Sequence, residues 1–325
     1  MTKDEIMAKK LAKAAVNGKG NGNGHVKTAP TPRISDEVTE STRLPVLKTY
    51  KIFIGGKFPR TESGRYYLLK NASGEPIANM CLSTRKDFRE SVVAARNAQN
   101  SWAGKSAYNR AQILYRIAEM LEGRRAQFVE ELVSTGTSPA LAQKEVALSV
   151  DRLLYYAGWA DKYQQIFSSV NPVASSHFNF SLLEPTGVVA AIAPQDNGLI
   201  GLVSVIAPAI TGGNTVIALA SRDKPLSAVT LAEVIATSDV PGGVVNILTG
   251  ETSELVDPFS THMDVNAVLY ASGDKAEWTK IRTNAALNVK RVVKYTDDWM
   301  SADAQSPYKI LDVMETKTTW HPVGI

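Results

Sequence analysis

The sequence, 325 residues long, predicts an α/β fold: a Rossmann-like parallel sheet with helices on both faces, a helical N-terminal region and a β-arm. Three observations predict it. Short apolar runs open at Val188, Thr215, Val244, Ala267 and Arg291, at intervals of 27, 29, 23 and 24 residues. Helix-like segments fill those intervals, at Leu199–Thr211, Pro225–Thr237, Ser253–Ser260 and Asp274–Ala286. Upstream, "SHFNFSLLEP" at 176–185 alternates polar and apolar residues, the period of an extended strand. Strand–helix alternation at this spacing builds right-handed βαβ crossovers, and strands that are apolar throughout belong to a parallel sheet covered on both sides.

In chain order, residues 1–49 read as a basic tail and linker. Seven Lys and Arg in residues 1–33 face Asp4 and Glu5, a balance of +5, so the rest of the +4 chain carries 4 − 5 = −1. "MTKDEIMAKKLAKAAV" places Ile6, Leu11 and Ala15 on a loose apolar face, but a lone helix this short is marginal in water, and "NGKGNGNGHVKTAPTP" has linker composition. Residues 50–175 form N-terminal strands and a helical part. "YKIFIGGKF" reads as strand, Gly-Gly turn and returning strand, Ser83 as an N-cap, and the chain as helical from there to Phe167. Residues 176–187 are the arm, 188–299 the βαβ core, and 300–325 a closing helix and strand.

Composition limits the function. A basic tail on a near-neutral body, without interleaved aromatic and basic residues, excludes a nucleic-acid-binding fold. No apolar run is long enough for a membrane span, and no secretory signal pattern occurs. Cys81 is the one cysteine, so a disulfide framework is excluded and the expected location is the cytoplasm. His25, His177, His262 and His321 are scattered, and no metal site is expected.

Candidate chemistry centres on Pro194-Gln195-Asp196-Asn197-Gly198, which separates a buried strand from a long apolar helix. Such a turn at a helix N-terminus is where α/β enzymes hold ligands and oxyanions.

"EPTGVVAAIAP", "IAPAITGGNTVIAL", "PLSAVTLAEVI", "VPGGVVNILTG" and, upstream, "RLLYYAGWADK" stand in the order and at the distances of the aldehyde dehydrogenase family, and the resemblance runs from Tyr50 to Ile325. It implies NAD or NADP, a cysteine nucleophile, an oxyanion donor, a water-activating glutamate and an arm joining subunits. The family's P-W-N-F-P turn becomes Pro194–Gly198, with Asp196 at the donor position and Asn197 serving only if the turn shifts by one residue. Ionised Asp accepts and cannot donate. The L-E-L-G-G-K segment becomes Lys294–Trp299, with Tyr295 at the base position. In the cofactor segments, Leu219 replaces a lysine, Arg222 a glutamate, and Thr252 and Val256 two glycines of G-D-G-A-E-V-G. Remnant cofactor contacts would fall at Pro194, Ser221, Arg222, Gly250 and Ser272, with binding weak or lost. Arg222 reads as a solvated surface residue, with an NADP 2′-phosphate contact as the other reading.

The nucleophilic cysteine has no counterpart: "TDDWMSADAQSP" leads at once into "YKILDVMETKTTWHPV", which resembles the family's C-terminal segment. The resemblance therefore implies a shortened member lacking the catalytic domain, with no catalytic residue expected. Cys81 reads as a buried small hydrophobe. Two classes of function follow. One is a non-catalytic structural or regulatory subunit that pairs with a full-length aldehyde dehydrogenase relative, or self-associates, through the arm and the C-terminal strand. The other is a working NAD(P)-dependent oxidoreductase acting on aldehydes, with a nucleotide-sensing module as a lesser form.

Overall fold

The computed structural model describes residues 46–324; the tail and linker assigned to 1–49 lie largely outside the described residues. Strand β1 (Thr49–Tyr50) runs parallel to β3 (Pro76–Cys81), whose other neighbour is antiparallel β2 (Tyr66–Lys70). The expected hairpin around Gly55-Gly56 shrinks to one bridge between Ile54 and Lys57. Phe53 instead pairs with Ile247, covering an edge of the main sheet.

Five helices follow: α1 (Arg85–Ala103), α2 (Ala107–Gly123), α3 (Arg125–Ser134), α4 (Pro139–Trp159) and α5 (Tyr163–Phe167). The N-cap of α1 is Thr84, not Ser83, because Asp87 three residues on returns a bond to the Thr84 backbone and completes a capping box. Strands β4 (Ser169–Asn171) and β5 (His177–Pro185) come next. The core then alternates β6 (Val188–Ile192), α6 (Ile200–Thr211), β7 (Thr215–Leu219), α7 (Leu226–Ala236), β8 (Val245–Leu248), α8 (Thr252–Thr261), β9 (Ala267–Tyr270), α9 (Lys275–Ala286) and β10 (Arg291–Lys294). A short α10 (Tyr308–Leu311) leads to β11 (Met314–Pro322).

All five core strands are parallel, in the order β10-β9-β6-β7-β8. The order reverses between β6 and β9, which puts the crevice for a ligand at their carboxyl ends. Alternate side chains divide the interior. Val189, Ala191, Val216, Ala218 and Leu269 face a layer built from α2, α3, α4, α6 and α7. Val188, Ala190, Ile192, Ile217, Leu219 and Val268 face α1, α8 and α9. Residues of both the 50–175 and the 188–299 segments share these clusters, so the two segments form one unit.

Every residue of α6 is buried, so both of its ends need partners inside the protein. Glu145 of α4 supplies them at the N-terminus, its Oε1 accepting from Leu199 N at 2.7 Å and Ile200 N at 3.2 Å. At the other end Trp102 Nε1 donates to Ile210 O and Arg110 Nε to Thr211 O, each at 3.0 Å. A carboxylate at the positive end and a guanidinium at the negative end also suit the helix dipole.

The arm is the centre of a third sheet, β11-β5-β4, fully antiparallel, with Met314 opposite Pro185 and Pro322 opposite His177. Residues 295–307 return the chain from β10 to this sheet by docking on α4. Arg152, 1% exposed, donates from Nη1 to Ser204 Oγ and from Nη2 to the carbonyls of Trp299 and Ser301. Trp299, Ala304, Ile310, Val313 and Met314 join the main hydrophobic cluster. Among the described residues, no helix is long and apolar enough to cross a membrane.

Candidate functional site

The turn after β6 is tied to the turn after β7. Gln195 Nε2 donates to Ala193 O while its Oε1 accepts from Arg222 N at 2.9 Å. Ser221 Oγ donates to Gln195 O at 2.9 Å, and Lys224 Nζ donates to Asp196 O at 2.8 Å. Asp196 itself is exposed. Asn197 is half-buried, with Oδ1 buried against Gly201 and without a hydrogen-bond partner. Gly198 serves space rather than freedom: a Cβ there would lie 2.8 Å from both Leu132 Cδ2 and Ser227 Oγ. At Gly198 the turn is thus packed closely against α3 and α7. The helix end behind the turn is occupied by Glu145, which the sequence reading missed. Its signal was present: Glu145 lies on the stripe of Ala142, Val146, Ser149 and Leu153 that α4 buries, and a carboxylate there demands partners.

Arg222 is a surface residue, its side chain 43% exposed, whose guanidinium is already engaged by neighbours. It is ion-paired with Glu251, and its guanidinium sits 4.9 Å over the Tyr67 ring. Tyr67 is partly buried, desolvation raises its pKa above the usual phenol range, and its hydroxyl donates to Arg222 O. Glu251 stands at the N-cap position of α8 without a side-chain capping bond, and Glu254 lies in its first turn, paired with Arg65 at 2.8 Å. Two carboxylates therefore stand at the helix end where a pyrophosphate would otherwise find backbone N–H groups. Gly250 has φ +154°, and an added Cβ would lie 3.1 Å from Ser83 N. Val256, in place of a family glycine, is fully buried against α1 and α9. Ser272, half-buried, lies two residues beyond β9, near Tyr270, whose hydroxyl donates to Asp274 O at 3.0 Å and Glu277 Oε2 at 2.7 Å. Pro194, Ser221, Arg222 and Gly250 thus gather around one crevice, which the chain's own side chains bridge.

Tyr295 is buried and off this crevice. Its hydroxyl donates to Asp312 Oδ2 at 2.9 Å, and Lys309 Nζ lies 3.9 Å from its ring centroid. Burial and the neighbouring carboxylate push the phenol pKa well above its ordinary value, while burial raises Asp312. Cys81, 3% exposed, packs in the cluster on the α1 side of the sheet; the 194–199 turn feeds α6 on the opposite side. Among the described residues, no group of three His, Cys, Asp or Glu is placed to hold a metal.

The aldehyde dehydrogenase family matches residues 58–295. An aldehyde dehydrogenase of Aspergillus niger is 32% identical over 245 residues, 74% of this chain and 48% of that protein. Human retinal dehydrogenase 2 is 31% identical over 276 residues, 82% of this chain and 50% of its own length. The NAD+ complex of a Bacillus cereus aldehyde dehydrogenase superposes with a TM-score of 0.72 at 26% identity, covering 76% of this chain and 50% of that one. This chain spans about half the length of the relatives it matches. With the family model matching residues 58–295, most of its length, the chain belongs to the aldehyde dehydrogenase family.

Proposed function

We propose that this chain is a non-catalytic aldehyde dehydrogenase subunit, structural or regulatory, that acts by pairing with a full-length relative. One observation carries the reading: the single thiol is buried on the far side of the sheet from the turn that would hold an oxyanion. Thioester chemistry needs a thiolate within reach of the oxyanion donors. Asp196 and Tyr295 supply neither donor nor base there.

Resemblance to an NAD+ complex makes NAD or NADP the implied cofactor, and the crevice does not fit it as it stands. The Arg222–Glu251 pair crosses the crevice, two carboxylates head α8, and Val256 fills the place of a glycine. No catalytic step is routed through a dinucleotide here.

The β11-β5-β4 sheet is the element left to act. Phe178, Leu182 and Val170, 46%, 47% and 67% exposed, share one of its faces beside a cavity of about 350 Å³. That apolar face is the docking surface for the relative. Co-expression with full-length aldehyde dehydrogenases from the same genome tests the proposal. Co-purification lost on Phe178→Asp and Leu182→Asp is expected; failure to co-purify with any of them contradicts it. A nucleotide-sensing role is the second reading, favoured by the likeness to the NAD+ complex, and cofactor titration separates the two.

A further inference from the structure

Helix α8 begins beside Glu251, at the crevice, and ends at Thr261, about 15 Å away. Toward that far end α1 packs against it, the Phe88 and Phe259 rings stacked with centroids 4.4 Å apart. Arg85 and Arg89 of α1, Pro258 and Thr261 of α8, and His262 and Met263 just beyond line a cavity of about 330 Å³ there.

The charge around this cavity is one-sided. No carboxylate lines it, and Arg85 and Arg89 are exposed neighbours one turn apart. Arg65, Arg116, Arg124, Arg125 and Arg222 are each paired with a carboxylate; among the described residues Arg85 and Arg89 are in no ion pair or side-chain hydrogen bond. The third polar group is the His262 ring. Its Nδ1 accepts from Asp264 N at 3.2 Å, which leaves Nε2 as the N–H donor of the neutral imidazole. Burial holds its pKa below the ordinary value; Asp264 opposes that effect, and Lys290, Arg89 and Arg85 add to it. Pro258 and Met263 make the remaining wall apolar.

We propose that this cavity binds a small dicarboxylate of the size of succinate or glutarate, one carboxylate on each arginine and the carbon chain against Pro258 and Met263. A guanidinium fork takes a planar carboxylate through two parallel hydrogen bonds. As i,i+4 neighbours the two forks rise from Cβ atoms about 5–6 Å apart, so two carboxylates joined by a few methylenes meet both. A monocarboxylate engages one fork only, and inorganic phosphate leaves the apolar wall uncovered. The site uses no residue of the arm sheet and lies at the other end of α8 from the crevice, so it stands or falls apart from the proposed function.

Calorimetric titration of the purified full chain with succinate, glutarate, acetate and inorganic phosphate, at constant ionic strength and about pH 6.5, is the test. A dissociation constant of about 1 mM is expected for the better dicarboxylate, with acetate and phosphate at least about tenfold weaker. Arg85→Gln and Arg89→Gln should each weaken binding about tenfold. Arg60→Gln, at an exposed arginine outside the cavity, should not, and all three should keep the circular dichroism of wild type. In proton NMR, the ring resonance that His262→Gln removes should titrate at higher pH with the dicarboxylate bound, because a nearby dianion favours the imidazolium. No binding of either dicarboxylate at about 10 mM, or acetate or phosphate within about threefold of the better one, overturns the proposal. So does binding that either Arg85→Gln or Arg89→Gln leaves unchanged, or a His262 resonance that the ligand does not move.

Discussion

Replacing Glu145 by alanine removes the one acceptor that satisfies the N-terminus of α6. Leu199 N and Ile200 N are both buried and both bond to the same carboxylate oxygen, 2.7 and 3.2 Å away. Net contributions of about 1.5–3 kcal/mol apply to hydrogen bonds with a charged group, and the shorter bond takes the larger share. Loss of the carboxylate at the helix dipole adds to this, so Glu145→Ala should cost about 3–5 kcal/mol. For a chain of this size that corresponds to a fall in Tm of about 4–8 °C. Glu145→Gln keeps an oxygen in place and should cost about 1–2 kcal/mol. Urea unfolding followed by circular dichroism measures both. An alanine variant within about 1 kcal/mol of wild type, or one equal to the glutamine variant, refutes the assignment of Glu145 as the cap.

Trp299→Ala, which empties a site in the main cluster, should cost about 3–5 kcal/mol in the same unfolding assay. Arg152→Met should shift Trp299 fluorescence to the red by freeing the 299–301 backbone from α4. His262 Nδ1 accepts from Asp264 N, and burial lowers its pKa below the ordinary histidine value. A group depressed in the folded state contributes stability that is complete above its unfolded pKa, near 6.5, and is lost as pH falls through its folded pKa. Wild type should therefore lose more stability than His262→Gln between about pH 7 and 5, by urea midpoint. NAD or NADP at about 1 mM should produce no binding heat and no rise in Tm.

The core was legible because both sides of each strand are buried: Val188–Ile192 is apolar throughout and Thr215–Leu219 is apolar after its first residue. The arm was legible from its alternation, since its inner face holds Asn179 and Ser181 and its outer face Phe178 and Leu182. Pairings distant in sequence were not legible. Phe53 left its local hairpin because the β8 edge offered Ile247 a partner for both peptide groups. The partners of Arg222 were not legible because Glu251 and Tyr67, which hold it, are 29 and 155 residues away. Thr84 could have been chosen over Ser83 from Asp87 alone, since the reciprocal bond of a capping box fixes the spacing.

Turnover by the purified full chain tests the central claim most directly. With short and aromatic aldehydes and either NAD or NADP, absorbance of the reduced cofactor should not rise above the protein-free control. Reduced cofactor formed in proportion to protein, and abolished by Cys81→Ser in a variant of unchanged circular dichroism, would contradict the account.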